Sequence, residues 1–162
     1  EKTAAVDPAA LPYRPCVGVV LIDPFGRVFA GQRVDNPGDA WQMPQGGIDP
    51  GETPREAAFR ELAEEAGVGP ATVELVRESA QWLYYDLPPE LLGRIWGGQY
   101  RGQSQRWFAF RFHGADADIE IETDEPEFRA WAWMRPEELV ERIVPFKLHI
   151  YRAVFDEFGD LF

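Results

Sequence analysis

Cysteine is nearly absent from this chain: Cys16 is the single one among 162 residues, so no disulfide can form within it. It lies in an apolar run and suits a small core residue better than a nucleophile. Basic charge is also scarce. Sixteen Lys and Arg face 28 Asp and Glu, a formal net charge of -12. That balance argues against an extended nucleic-acid-binding surface, which needs clustered cations. A small phosphate-bearing substrate stays compatible, because a metal ion and a few local cations can hold one. No hydrophobic run approaches the roughly 20 residues of a membrane-spanning helix. The stretch from Glu1 to Ala10 is short, polar and alanine-rich rather than signal-like, so cytoplasm is the expected location.

What is present is core-forming material. Apolar residues make up 45% of the chain, with 6 Trp and 11 Phe, enough to exclude general disorder. The length suits one domain, expected over residues 13–162 behind a flexible leader at 1–12. No internal repeat or linker interrupts it. The continuous apolar run 15–22 predicts a buried strand, and the turn signal Asp23-Pro-Phe-Gly26 predicts a hairpin into a strand at 27–32. Residues 33–40 are expected to form a loop. Further strands are expected at 72–76, 80–86, 106–112 and 128–134. In the third of these, Phe108, Phe110 and Phe112 share one face. The long segment 88–105 is expected to be a loop or short helix, and 113–127 an acidic, largely solvated stretch. Residues 136–143 predict a short helix. A last amphipathic helix carries Phe146, Ile150, Val154 and Phe158 on one stripe and closes at Gly159. This order predicts an α/β protein, a mixed sheet sandwiched between helices.

The stretch 46–68 organises the rest. Gly46, Gly47, Pro50 and Gly51 predict a turn leading into an acidic helix. Thr53 suits the N-cap, Pro54 the first helical position, and Glu56 completes a capping box. Gly67 suits the left-handed residue just past the helix end. Glu61, Glu64 and Glu65 follow i, i+3, i+4 spacing and project over adjacent turns, while Ala58, Phe59, Leu62 and Ala66 face the other way. Like charges so placed repel one another. A solvated acidic face is the ordinary outcome of such a run; a hard divalent cation is the alternative that removes the conflict.

Gly46, five residues, Glu52, seven residues and then Arg60-Glu-Leu-Ala-Glu-Glu-Ala-Gly-Val68 resembles a complete Nudix box at every specified position. The resemblance implies the Nudix fold and hydrolysis of a nucleoside diphosphate linked to another group. Magnesium or manganese would be held by Glu61, Glu64 and Glu65. Glu61 and Glu64 are then the candidates for taking a proton from the attacking water. Arg60, a candidate catalytic-site residue, can pair with Glu52 or Glu56 and so hold the turn and a carboxylate in place, or form an ordinary i, i+4 pair with Glu56 or Glu64. Glu52 suits a structural role in the turn, and Gly46 and Gly47 suit close backbone approach.

The flanks narrow the resemblance. Residues 33–47, Tyr13-Arg14, Gly102 to Phe108, Glu127-Phe128, Trp131-Ala-Trp133, Phe146-Lys147 and Tyr151 are similar to dinucleoside polyphosphate hydrolases of bacterial and plant type. They are equally similar to the related RNA 5′ pyrophosphohydrolases. Leu148 departs from the pattern, standing where many relatives have a basic residue. The likeness implies that Glu127 reaches the metal cluster from outside the box. Gln42, Gln45, Lys147, Tyr151 and Tyr84 are the candidate substrate contacts, with Tyr85 the alternative to Tyr84 for stacking on a base. The acidic charge favours a small substrate. The expectation is therefore asymmetric cleavage of diadenosine tetraphosphate to ATP and AMP, with removal of pyrophosphate from RNA 5′ ends as the alternative. A non-catalytic nucleotide-binding regulator would be expected to lack one or more box glutamates, and none is lacking.

Overall fold

The computed structural model describes residues 7–35 and 38–162. Positions 1–6 of the expected leader, and 36–37 of the expected loop, lie outside the described residues. The rest of the leader is tied down. Asp7 caps a short 3-10 turn at Pro8–Ala10, and the Arg101 amide donates to the Pro12 carbonyl at 2.9 Å.

Among the described residues eight strands form one sheet: β1 (Tyr13–Ile22), β2 (Val28–Arg33), β3 (Trp41–Gln42), β4 (Gln45–Gly47), β5 (Val73–Glu78), β6 (Leu83–Asp86), β7 (Gly102–Phe112) and β8 (Phe128–Met134). At its centre β1 runs parallel to β7, and the remaining pairs are antiparallel, so the sheet is mixed. Each central strand changes partner along its length. The start of β1 pairs with β4 and its end with β2, while the start of β7 pairs with β6 and its end with β5. The sheet therefore branches at both ends of the β1–β7 pair.

Strand alternation sorts the apolar side chains onto two faces. Val17, Val19, Leu21, Phe108, Phe110 and Phe112 pack with Ala57, Ala58, Leu62 and Ala66 of helix α1 (Pro54–Ala66). Val20, Ile22, Trp107 and Ala109 pack on the other face with Leu139 of α2 (Pro136–Val140) and Ile150 and Val154 of α3 (Leu148–Glu157). Helices thus cover both faces, as the order of elements led one to expect. This is the architecture that the resemblance to a Nudix box implied.

Several boundaries differ from expectation for physical reasons. Gly46 and Gly47 do not turn; they are extended in β4, and the turn lies beyond them around Gly51, with φ +81°. Strand β7 begins at Gly102, inside the expected loop. Gly-Gln-Ser-Gln lacks an apolar alternation, yet β1 and β6 flank it with their backbones. Conversely β6 starts only at Leu83, because the amide of Ala80 is taken by the Glu157 carboxylate at 2.7 Å and Ser79 Oγ receives the Trp107 amide. Helix α2 is shorter than expected. The last helix ends at Glu157 and is capped by Phe158 rather than closing at Gly159, which opens a 3-10 turn to Leu161 instead.

Candidate active site

The branch at the start of β1 and β7 leaves a cavity of about 1130 Å³ between β4, β6, α1 and the segment before α3. Helix α1 supplies its acidic wall. Thr53 Oγ accepts the Glu56 amide and the Glu56 carboxylate accepts the Thr53 amide, both at 3.1 Å, which closes the capping box. Gly67 ends the helix with φ +68°. Between these stops the side chains of Glu61, Glu64 and Glu65 all line the cavity. Their surroundings differ, however. Glu61 and Glu65 are buried, at 7% and 2% exposure, whereas the Glu64 side chain is 58% exposed at the rim. Glu127, just before β8, enters from outside the helix and lines the same cavity.

Arg60 is turned away from the cavity and organises the wall from behind. Its guanidinium donates to both oxygens of Glu52 at 2.8 and 2.9 Å, to the Gly47 carbonyl at 2.8 Å, to Glu61 Oε1 at 2.8 Å and to Glu64 Oε2 at 3.1 Å. The expected partner Glu52 and the i, i+4 partner Glu64 are thus both engaged, while Glu56 is occupied in the capping box. Gly46 is required by packing rather than by a turn: a Cβ there would overlap the Glu61 carboxylate. A Cβ on Gly47 would meet the Arg14 guanidinium at 2.5 Å.

Burial drives the Glu61 carboxyl up to about 7 against the opposing pull of Arg60, and Glu64 and Glu127 add repulsion. Glu65 is pushed well above the usual carboxylate range by burial and by Glu61 and Glu127, although its Oε2 accepts the Gln45 amide at 2.8 Å. Among the described residues no three metal-binding side chains converge closely enough to form a ready-made cage. The donor chemistry nevertheless fits a hard divalent cation. The buried carboxylates Glu61 and Glu65 share one wall, and the Arg60 guanidinium engages only the first of them while also serving Glu52 and the exposed Glu64.

The opposite wall is cationic and aromatic. Lys147 is buried beside the cavity with its ammonium 5.8 Å from the Tyr85 ring centre, and Arg14 lies 5.6 Å from that of Trp96. Gln42 and Gln45 line the floor. Two expected contacts are placed elsewhere. Strand alternation turns Tyr84 outward, 50% exposed and against Tyr13, so that Tyr85 is the residue that lines the cavity. Tyr151 is fully buried beneath the floor, where its hydroxyl receives the Met43 amide at 2.8 Å. Arg14, Arg33, Trp96 and Gln103 also line the cavity, without an assigned role from the sequence. The usable signal was the scarcity of cations: an Arg inside a strand of a chain this acidic calls for a specific anion.

The NUDIX domain family matches residues 12–154. The chain belongs to the Nudix family. An RNA pyrophosphohydrolase of Cereibacter sphaeroides is 58% identical over 158 residues, covering 98% of this chain and 96% of that protein. The RNA pyrophosphohydrolase of Roseobacter denitrificans is 59% identical over 150 residues, covering 93% and 94%. Among solved structures, an Ap4A hydrolase of C. elegans superposes with a TM-score of 0.65 at 21% identity, covering 91% of this chain and 99% of that one. The protein is a Nudix pyrophosphohydrolase, and Nudix hydrolases generally use divalent metal ions. No helix among the described residues is long and apolar enough to cross a membrane.

Proposed function

We propose that this Nudix pyrophosphohydrolase acts on triphosphorylated RNA 5′ ends, releasing pyrophosphate and leaving a 5′ monophosphate. The observation that carries this reading is the name shared by relatives 58–59% identical over nearly the whole chain. The dinucleoside polyphosphate reading yields to it, because likeness to an Ap4A hydrolase at 21% identity carries the fold alone. Net charge had favoured a small substrate, but a terminus needs only local cations. Arg14, Arg33 and Lys147 face the cavity, where they can meet a 5′ polyphosphate regardless of the acidic exterior.

In this reading Glu61, Glu65, Glu64 and Glu127 would hold magnesium or manganese at the acidic wall. When bound, such an ion would supply charge neutralisation to the phosphate oxygens and activation of the attacking water. Water adds across the anhydride between the first and second phosphates, and the oxygen between them leaves with the pyrophosphate. Glu61 and Glu64 are the candidates for taking the water's proton. Arg60, engaged from behind, positions both without touching substrate. Lys147, Gln42 and Gln45 hold the phosphates, and Tyr85 and Trp96 offer faces on which a base can stack.

The test is turnover of triphosphorylated RNA against diadenosine tetraphosphate with magnesium. A kcat/KM for RNA at least about tenfold higher, with pyrophosphate released, supports the reading. Preference for the dinucleotide, yielding ATP and AMP, overturns it, as does failure to turn over either substrate.

A further inference from the structure

Four buried glutamines surround the cavity floor, and one tryptophan dictates how three of them point. An indole nitrogen can only donate a hydrogen bond. Trp107 Nε1 donates to Gln105 Oε1 at 2.9 Å, which commits that oxygen and turns the Gln105 NH2 group the other way. This NH2 donates to Gln103 Oε1 at 2.7 Å and to Gln45 Oε1 at 3.2 Å. With both of those oxygens engaged, Gln103 and Gln45 are left with their amide nitrogens for the cavity they line. Gln42 lines the same cavity; it is 5% exposed, and its Nε2 is buried with no hydrogen-bond partner among the described residues.

We propose that Trp107 and Gln105 act as a polarity lock. They fix the amides so that Gln103 and Gln45, together with Gln42, present N–H donors to the non-bridging oxygens of the substrate's polyphosphate. The assignment rests on the phosphate-ended substrate proposed above. The chemistry suits the place. A further cation beside the acidic wall would pair with its glutamates, as Arg60 does, whereas a neutral amide donates to phosphate without competing for them. Without the indole, each amide could rotate to present a carbonyl oxygen, which repels phosphate. Trp107 and Gln105 are thus positioning residues, and Gln42, Gln45 and Gln103 are the contacts.

The decisive variant is Gln105→Glu. Its carboxylate still accepts from the indole but cannot donate, so Gln45 and Gln103 turn their nitrogens toward it and their oxygens toward the cavity. Inorganic pyrophosphate is the probe, titrated by calorimetry with magnesium present, alongside steady-state kinetics on triphosphorylated RNA. The expected result is affinity weakened about tenfold or more and a comparable rise in KM, with kcat changed far less. The affinity ratio of variant to wild type should shrink from pH 8 to pH 5, as the introduced carboxyl regains a proton to donate; a purely structural role would leave that ratio unmoved. Gln103→Met, which deletes one cavity-facing donor and leaves the indole bond to Gln105 in place, should weaken pyrophosphate in the same direction and covers the case in which Gln105→Glu fails to fold. Wild-type affinity in a folded Gln105→Glu, or in Gln103→Met, overturns the lock. Because pyrophosphate binding is read without turnover, that result is distinct from a failure of the wild type to cleave RNA.

Discussion

Arg60 holds Glu52 through both carboxylate oxygens, Nε to Oε2 at 2.8 Å and a terminal nitrogen to Oε1 at 2.9 Å. Its other three N–H groups go to the Gly47 carbonyl, Glu61 and Glu64, so all five donors of the guanidinium are used. One side chain thereby couples the turn, the end of β4 and two box carboxylates. A lysine has three donors on a flexible stem and no planar fork. Arg60→Lys should therefore lower kcat by about 10- to 100-fold while KM changes little, since the guanidinium orients carboxylates and does not face the cavity. Steady-state kinetics check it, and a selective rise in KM would contradict the positioning role.

The two glycines at either end of the motif should fail in different ways. Gly46→Ala drives a methyl group into the Glu61 carboxylate, so activity should fall at least about tenfold through misplacement of a carboxylate proposed to serve the reaction. Gly67→Ala puts a side chain at φ +68° and its Cβ 2.6 Å from the Glu120 carbonyl oxygen. The left-handed backbone alone costs about 1–2 kcal/mol. Its melting temperature should drop, while kcat measured well below that temperature is retained. Thermal unfolding and kinetics on both variants separate the effects.

Lys147 gives the substrate-free protein a pH signature. Burial lowers its ammonium from an ordinary 10.5 to about 8 and Arg33 adds repulsion, opposed by Cys16, Glu65 and Asp35. Between those values the unfolded chain holds the proton that the folded chain has lost, so this residue makes stability rise with pH from about 8 to 10.5. Below that window both states are protonated and the cost of burying the charge is fully present. Lys147→Met should therefore raise the melting temperature at pH 7, with the gain shrinking toward pH 10. Because kcat/KM reports ionisations of the free enzyme, wild-type kcat/KM for an anionic substrate should decline above about pH 8, and the variant should lack that limb.

Neighbouring tyrosines on β6 should behave oppositely. Tyr85→Ala removes a cavity wall beside Lys147 and should raise KM for RNA about tenfold. Tyr84→Ala removes an exposed ring whose contact is Tyr13 on the outer face, and KM should stay within about twofold. Kinetics on the pair would reveal at once if the strand were shifted by one residue in register.

Much of the acidic wall was legible in the sequence, because its determinants are local. Helical spacing brings Glu61, Glu64 and Glu65 to one cavity, Thr53 and Glu56 close the capping box, and Gly67 takes the left-handed conformation. Strand alternation likewise sorted Phe108, Phe110 and Phe112 together. The same local logic misplaced Gly46 and Gly47, since a glycine needed for close packing and one needed for a turn look alike until the neighbour is known.

The sequence by itself determined the family, the acidic helix and the two-faced strands, for each depends on residues within a few turns of one another. Only the tertiary structure decided which carboxylates are buried, which tyrosine faces the substrate cavity, and that Tyr151 belongs to the core. It alone joined Trp107, Gln105, Gln103 and Gln45 into one hydrogen-bonded chain across β4 and β7. Burial, and the direction in which an amide points, are set by strands distant in sequence, and no local pattern records them.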